Sequence, residues 1–113
     1  MKKVILLLTL IFSFVVKAQT IHIDSTIICS IPNVFTPNDD GLNDTFTPTV
    51  VNALSYEFFI LDRNNNMIYH TVDNTPWDGY SKGQLRKGVF IYKIVILSIK
   101  NKEYTLFGHI SVL

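Results

Sequence analysis

The stretch that decides the fold reads IPNVFTPNDDGLNDTF and covers residues 31–46. A short apolar run leads into Thr36-Pro37, where the proline ring fixes its own φ and favours an extended conformation for the threonine. Asp40-Gly41 is a turn dipeptide, because glycine accepts positive φ and aspartate can hydrogen-bond its own backbone. An apolar run restarts after the loop. The stretch therefore predicts two strands joined by an acidic loop.

Side-chain oxygens are concentrated in this loop, and two interpretations of them stay open. The first is a tight turn held by hydrogen bonds from side chains to the backbone. The second is a partial calcium site, in which Asn38, Asp40 and Asp44 supply ligands around Gly41. A full EF-hand loop is excluded, because threonines stand at the outer positions where a carboxylate is needed. Calcium is the only cofactor that the sequence raises.

The start of the chain has the layout of a secretory signal peptide. Residues 1–3 are basic at two positions, residues 4–16 are almost entirely apolar, and Ala18 offers a small residue for cleavage. We therefore expect residues 1–18 to be a signal peptide and residues 19–29 to be a short extended lead-in. The apolar run is short for a membrane span, so we expect no transmembrane span after cleavage. An uncleaved N-terminal anchor is the alternative.

The charge of the mature chain argues against nucleic acid as a partner. The signal segment holds three lysines, so its removal leaves seven basic residues against nine acidic ones and a net charge of −2. The basic cluster of Lys82, Arg86 and Lys87 is too sparse to follow a phosphate backbone.

The single cysteine, Cys29, excludes an internal disulfide. Ile28 precedes it, whereas a bacterial lipoprotein signal needs a small residue at that position. We expect Cys29 to be a buried strand residue.

The remainder of the chain reads as strands separated by turns. Residues 56–61 and 67–72 form a predicted hairpin, since the asparagines between them tolerate left-handed geometry. The longest predicted strand, residues 89–99, is apolar on both faces and is therefore expected to be central and covered on both sides. The last strand, residues 103–113, has a predicted bulge at Gly108.

Helical periodicity is missing from the mature chain, and about seven short strands predict an all-β, immunoglobulin-like antiparallel β-sandwich. Ile110 and Val112 are expected to face inward and Ser111 outward. The predicted core consists of Phe35, Phe46, Phe58, Ile60, Ile68, Val89, Ile91, Val95 and Ile110.

Residues that could carry chemistry are scattered along the sequence. His22, His70 and His109 lack the spacing of metal ligands, and the serines lack the surroundings of a nucleophile. The only tryptophan, Trp77, is expected to cover one end of the core, although it could instead stack on a sugar together with Tyr80. We therefore expect no enzymatic activity.

Five blocks of the sequence occur in an order that resembles a known family. They are VFTPNDDGLNDTF at 34–46, FILDR at 59–63, WDG at 77–79, GVFIY at 88–92 and GHISVL at 108–113. Together they resemble the gliding-motility-associated C-terminal domain, which is the type B sorting domain of the type IX secretion system. The resemblance covers residues 30–113.

The resemblance implies a non-enzymatic C-terminal sorting domain. Such domains belong to proteins that cross the inner membrane with a signal peptide. The type IX machinery in the outer membrane then recognises the folded domain and moves the protein to the cell surface or the medium. The resemblance thus implies that machinery as the partner, and a route through the periplasm of a Gram-negative bacterium. We expect the domain to be monomeric.

The sequence departs from the family's pattern in three places. Asp39 stands where the family usually has glycine, Asn64-Asn65 stands where Trp-Gly is common, and Leu113 ends the chain without the usual basic residue. No passenger is visible between the signal and residue 30. The alternative function, from a different class, is a small secreted adhesion or surface-binding domain stabilised by calcium.

Overall fold

A computed structural model describes residues 18–23 and 26–113 of the chain. Within these residues the protein forms ten strands and no helix. In chain order the strands are β1 (Ala18–His22), β2 (Ile28–Pro32), β3 (Val34–Phe35), β4 (Thr49–Val51), β5 (Ala53–Leu61), β6 (Met67–Thr71), β7 (Tyr80–Ser81), β8 (Gln84–Leu85), β9 (Gly88–Ser98) and β10 (Glu103–Val112). The predicted signal peptide, apart from its last residue, lies outside the described residues.

Two sheets face each other across the core. The larger sheet has the strand order β3-β10-β9-β5-β6, the smaller one has the order β1-β2-β4, and β7 and β8 form a separate two-stranded sheet. Neighbouring strands are antiparallel except for β3 and β10, which are parallel. The predicted all-β sandwich is confirmed. The strand number exceeds the prediction because short turns and part of the predicted lead-in also pair as strands.

The inner faces of the two sheets meet in one apolar core. Its fully buried members include Ile27, Cys29, Ile31, Phe35, Phe46, Phe58, Ile60, Trp77, Ile94, Ile96 and Ile110. Burying a side chain of this size contributes about 1.5–3 kcal/mol. Phe35, Phe46, Phe58, Ile60 and Ile110 are thus confirmed as core residues.

The prediction that the longest strand is covered on both faces was wrong. Along β9 the buried residues alternate as Phe90, Tyr92, Ile94, Ile96 and Ser98, and the residues between them lie on the outer face.

Three predicted core residues, Val89, Ile91 and Val95, therefore lie on that outer face, and Val89 is 38% exposed. Ile68 is half-buried at the margin of the core. The strand is central in its sheet but covered on one side only. Apolar residues on both faces concealed this, because alternation of polarity is the signal that tells the faces apart.

The predicted hairpin is present as β5 and β6. Its turn is held by Asp62, whose Oδ1 accepts hydrogen bonds from the backbone amides of Asn64 at 2.8 Å and Asn66 at 2.9 Å. The hydrogen bond from the Asn66 amide is the main reason that the pKa of Asp62 lies below its usual range. Asn65 adopts the expected left-handed conformation, with φ of 63°. A bulge between Ile60 and Leu61 shifts the register of the pair.

The bulge predicted at Gly108 was wrong. The register between β10 and β9 is continuous, and Gly108 lies directly opposite Tyr92. The tyrosine side chain crosses over the glycine, so that an added Cβ would lie only 2.1 Å from its hydroxyl oxygen. Glycine is needed here because the ring occupies the space of a side chain. Ile110 and Val112 face inward, as predicted, at 0% and 1% exposure.

Replacing Gly108 with alanine is expected to lower the free energy of unfolding by about 1–3 kcal/mol, because the Tyr92 ring must leave its place. Urea unfolding of the purified protein measures this change. Thr105→Ala, at an exposed position of the same strand, is the matched control and should cost about 0.5 kcal/mol or less. In a Tyr92→Leu background the cost of Gly108→Ala should fall below half. An equal cost in both backgrounds would show that the ring is not the obstacle.

Candidate functional site

The acidic loop begins beside the last strand of the chain. β3 pairs in parallel with the end of β10, where Val34 lies opposite Ser111 and Phe35 opposite Val112. Backbone bonds extend the pairing on either side, from the Ser111 amide to the Asn33 carbonyl at 2.9 Å and from the Leu113 amide to the Phe35 carbonyl at 3.1 Å. The first and last blocks of the family resemblance are therefore adjacent in the fold.

Asp44 organises the interior of the loop. Its two carboxylate oxygens accept hydrogen bonds from the backbone amides of Asp39 at 3.0 Å and Gly41 at 2.8 Å. A backbone bond of 2.7 Å from the Thr36 amide to the Asn43 carbonyl closes the loop at its base. A charged acceptor shared by two amides makes a strong clamp.

Two further side chains hold the tip of the loop. Asp40 Oδ1 accepts a hydrogen bond from the backbone amide of Leu42 at 2.8 Å, and Asn38 Oδ1 accepts one from the backbone amide of Asp40 at 3.3 Å. Asp39 and Asn43 both adopt positive φ, at 64° and 53°. Aspartate and asparagine tolerate that conformation better than other residues with a side chain. The polar composition of the loop thus follows from its backbone geometry.

The structure brings the three proposed calcium ligands into one loop but directs them at the backbone. Asn38, Asp40 and Asp44 each accept at least one amide hydrogen bond within the loop. Among the residues that the structure describes, no group of three or more histidine, cysteine, aspartate or glutamate side chains could hold a metal ion. The calcium site stays a prediction, and the geometry agrees better with the hydrogen-bonded turn.

The Trp-Asp-Gly block forms a second turn against this loop. The two turns share a cavity lined by Pro37, Asp39, Asp44, Thr45, Asp78 and Tyr80. Asp78 Oδ1 accepts a hydrogen bond from the backbone amide of Tyr80 at 2.9 Å. Gly79 has φ of +85°, and a Cβ added there would lie 3.2 Å from the Pro37 ring. Sequence reasoning treated the two blocks separately, because nothing in their spacing places them together.

Trp77 covers the core, as predicted. Its side chain is 0% exposed, and its indole nitrogen donates a hydrogen bond to the Tyr80 carbonyl at 3.0 Å. A fully buried ring cannot stack on a sugar, so that alternative for Trp77 is wrong. Tyr80, by contrast, is 47% exposed.

Cys29 is buried in β2, as predicted. Burial raises the pKa of its thiol and thereby disfavours the reactive thiolate. Burial raises the pKa of the nearby Tyr56 and Tyr92 hydroxyls, and repulsion from an ionised Cys29 thiolate raises both further. The cysteine therefore serves as a core residue of the smaller sheet.

A row of aromatic and charged side chains crosses the outer face of the larger sheet. His70 stacks on Phe59 with 4.1 Å between ring centroids, and its Nε2 lies 2.9 Å from Glu57 Oε2. The Lys93 ammonium lies 5.2 Å from the centroid of Phe59 and 6.0 Å from that of Phe107. Sequence reasoning missed this row because it expected the face to be covered. Cross-strand register was the missing information.

Comparison with known proteins identifies a family and a distantly similar solved structure. The family model described as CHU_C Type IX secretion signal domain matches residues 29–112. The crystal structure of CopC from Methylosinus trichosporium OB3b is 10% identical, with a TM-score of 0.41 over 85% of this chain and 93% of that chain. A likeness at that score supports no argument. No curated protein matches the chain.

Removing the Asp44 carboxylate should open the loop. We expect Asp44→Ala to lower the free energy of unfolding by about 1 kcal/mol, since two backbone amides lose their acceptor. Hydrogen exchange measured by NMR should accelerate at the amides of Asp39 and Gly41 before any other part of the chain. Asp39→Asn is the matched control, because it also removes one charge from the loop and keeps a residue that tolerates positive φ. Unchanged exchange in Asp44→Ala would contradict the proposed clamp.

The two interpretations of the loop separate in a thermal unfolding experiment with millimolar calcium or with a chelator. The side-chain oxygens of the loop already accept hydrogen bonds from backbone amides. We therefore expect the unfolding curves of the natural sequence in calcium and in chelator to superimpose. A calcium site requires a higher melting temperature in calcium, since a ligand that binds only the folded state stabilises it. That increase would have to shrink in both Asp40→Asn and Asp44→Asn.

Proposed function

The chain belongs to the CHU_C type IX secretion signal domain family, and we propose that it acts as a C-terminal sorting domain that directs export across the outer membrane by the type IX secretion system. The observation that carries the proposal is the family match, which spans residues 29–112 and therefore the sandwich from β2 to the end of β10. Membership implies interaction with the type IX machinery and a secreted or cell-surface protein.

The arrangement of the family blocks supports recognition of a folded surface. The acidic loop leaves β3, which pairs with the end of β10, and the Trp-Asp-Gly turn lines a cavity with the same loop. These segments are remote in sequence, and only folding brings them together. A translocon that reads them would therefore bind the folded domain and not a linear peptide.

We propose further that the domain has no enzymatic activity. The CHU_C family is not an enzyme family. Among the described residues the closest histidine–carboxylate pair, His70 and Glu57, lies on the open outer face, and each side chain is 34% exposed. Both side chains are open to solvent, whereas substrate sites are usually concave and enclose their ligand.

The proposed route has two steps. The predicted signal peptide would direct the chain across the inner membrane, and the domain would then direct it from the periplasm of a Gram-negative bacterium to the surface or the medium. None of the residues that the structure describes belongs to a helix that could span a membrane.

Export of a reporter tests this function. A fluorescent protein is placed between a cleavable signal peptide and residues 19–113, and its location is followed in cells with and without a working type IX system. We expect delivery to the surface or medium only in the competent strain. The same reporter with the signal peptide alone is the control and should remain in the periplasm of both strains. Periplasmic retention of the full fusion in both strains would reject the sorting role.

The alternative, a small secreted adhesion domain stabilised by calcium, predicts a different outcome. It would need calcium for full stability and would not transfer export to a reporter. The self-contained hydrogen bonding of the acidic loop does not support it. We therefore propose the sorting function alone.

A further inference from the structure

The strand β6 leaves an open edge on the larger sheet. It is the last strand in the order β3-β10-β9-β5-β6, and its only strand partner among the described residues is β5. An edge strand presents unpaired amides and carbonyls, and proteins usually protect such an edge with lysine, proline or acidic residues. The sequence of β6 is MIYHT, which contains none of these.

The opposite edge of the sheet is better protected. β3 has two residues, and just beyond it the Thr36 amide donates to the Asn43 carbonyl within the acidic loop. β6 has five residues; its first residue, Met67, is 59% exposed, and Val72, which directly follows the strand, is 69% exposed. Its edge therefore combines free backbone groups with apolar surface.

The two ends of β6 carry opposite charge. Where the strand begins, Met67 shares a groove with Lys82 and Arg86, and Asp62 offsets part of their charge. Where the strand ends, a second groove contains Val72 and Asp73. The loop that follows β6 is held by Asp73, so this carboxylate has a fixed position. The edge is thus basic at one end and acidic at the other.

We propose that the β6 edges of two copies of the chain pair in antiparallel orientation and join their larger sheets into one. A two-fold axis near the middle of β6 would place the start of each strand beside the end of the other. Asp73 of one copy would then face Lys82 and Arg86 of its partner, and the contact would occur twice. A parallel arrangement would instead bring like charges together, which costs free energy.

The area available makes this a weak dimer. Pairing of one short strand covers less surface than the roughly 1,200–2,000 Å² of a stable interface. We therefore expect the dimer to form at high protein concentration and to weaken as salt screens the terminal charges. The proposal departs from the monomer expected from the sequence, and it does not depend on the export function.

Hydrogen exchange tests the proposal directly on protein purified after expression of the full chain. Exchange is compared at low micromolar and near-millimolar concentration, with sedimentation measured on the same samples. We expect dimers at the higher concentration, together with slower exchange at those amides of residues 67–71 that point away from β5 and unchanged exchange elsewhere. A monomer at both concentrations would overturn the proposal, and so would a dimer that leaves residues 67–71 unprotected.

A charge reversal tests the antiparallel orientation. Lys82→Glu should weaken dimerisation by about tenfold, because each dimer contains the contact twice. Lys100→Glu makes the same charge change in the turn between β9 and β10 and is the matched control. Equal dissociation constants for the two variants would contradict the proposed arrangement.

Discussion

The fold depends on the backbone pairing of Phe46 with Trp77 inside the core. Each residue's amide donates to the other's carbonyl, at 2.8 Å and 2.9 Å, so the acidic loop and the Trp-Asp-Gly turn are tied together without a regular strand. The indole ring packs edge to face against Phe35 at 5.6 Å and Phe90 at 5.5 Å. Such aromatic contacts contribute about 0.5–1.5 kcal/mol each beyond the burial of their surface. Because a buried indole N–H needs an acceptor, the bond to the Tyr80 carbonyl also determines the path of the turn that follows.

The larger sheet combines this buried layer with an open outer face. Its inner side chains are apolar, whereas its outer row alternates aromatic rings with His70 and Lys93. The lysine stem can cover ring surface while its ammonium stays in water, which lets a sheet expose apolar groups with little cost. On the buried side of the same sheet, Gly108 leaves the space that the Tyr92 ring occupies. The pair of strands β9 and β10 thus contains both the close contact of Gly108 with Tyr92 and part of the open outer face.

Sequence reasoning reached the sandwich, the β5–β6 hairpin, the burial of Cys29 and Trp77 and the inward positions of Ile110 and Val112. It expected both faces of β9 to be covered because apolar residues occupy both. When polarity does not alternate along a strand, the sequence does not show which face is buried. It interpreted Gly108 as a bulge, because a glycine within a strand can mark either a bulge or a close approach by another group. Only the identity of the residue opposite, Tyr92, decides between the two. The acidic loop could be predicted as a turn. That Asp44, and not a neighbouring side chain, accepts two backbone hydrogen bonds is visible only in the three-dimensional structure. Its closeness to Asp78 is a property of the tertiary fold.

The family match and the structure lead to one physical account. The segments that carry the resemblance include Trp77 and two of the aromatic residues packed against it, Phe35 and Phe90. Because Trp77 is the only tryptophan in the chain, its fluorescence reports on this centre alone. The decisive measurement is the emission spectrum of the native protein with and without iodide. The account predicts a blue-shifted emission that iodide does not quench until the protein is unfolded. A red-shifted emission that iodide quenches in the native protein would contradict it.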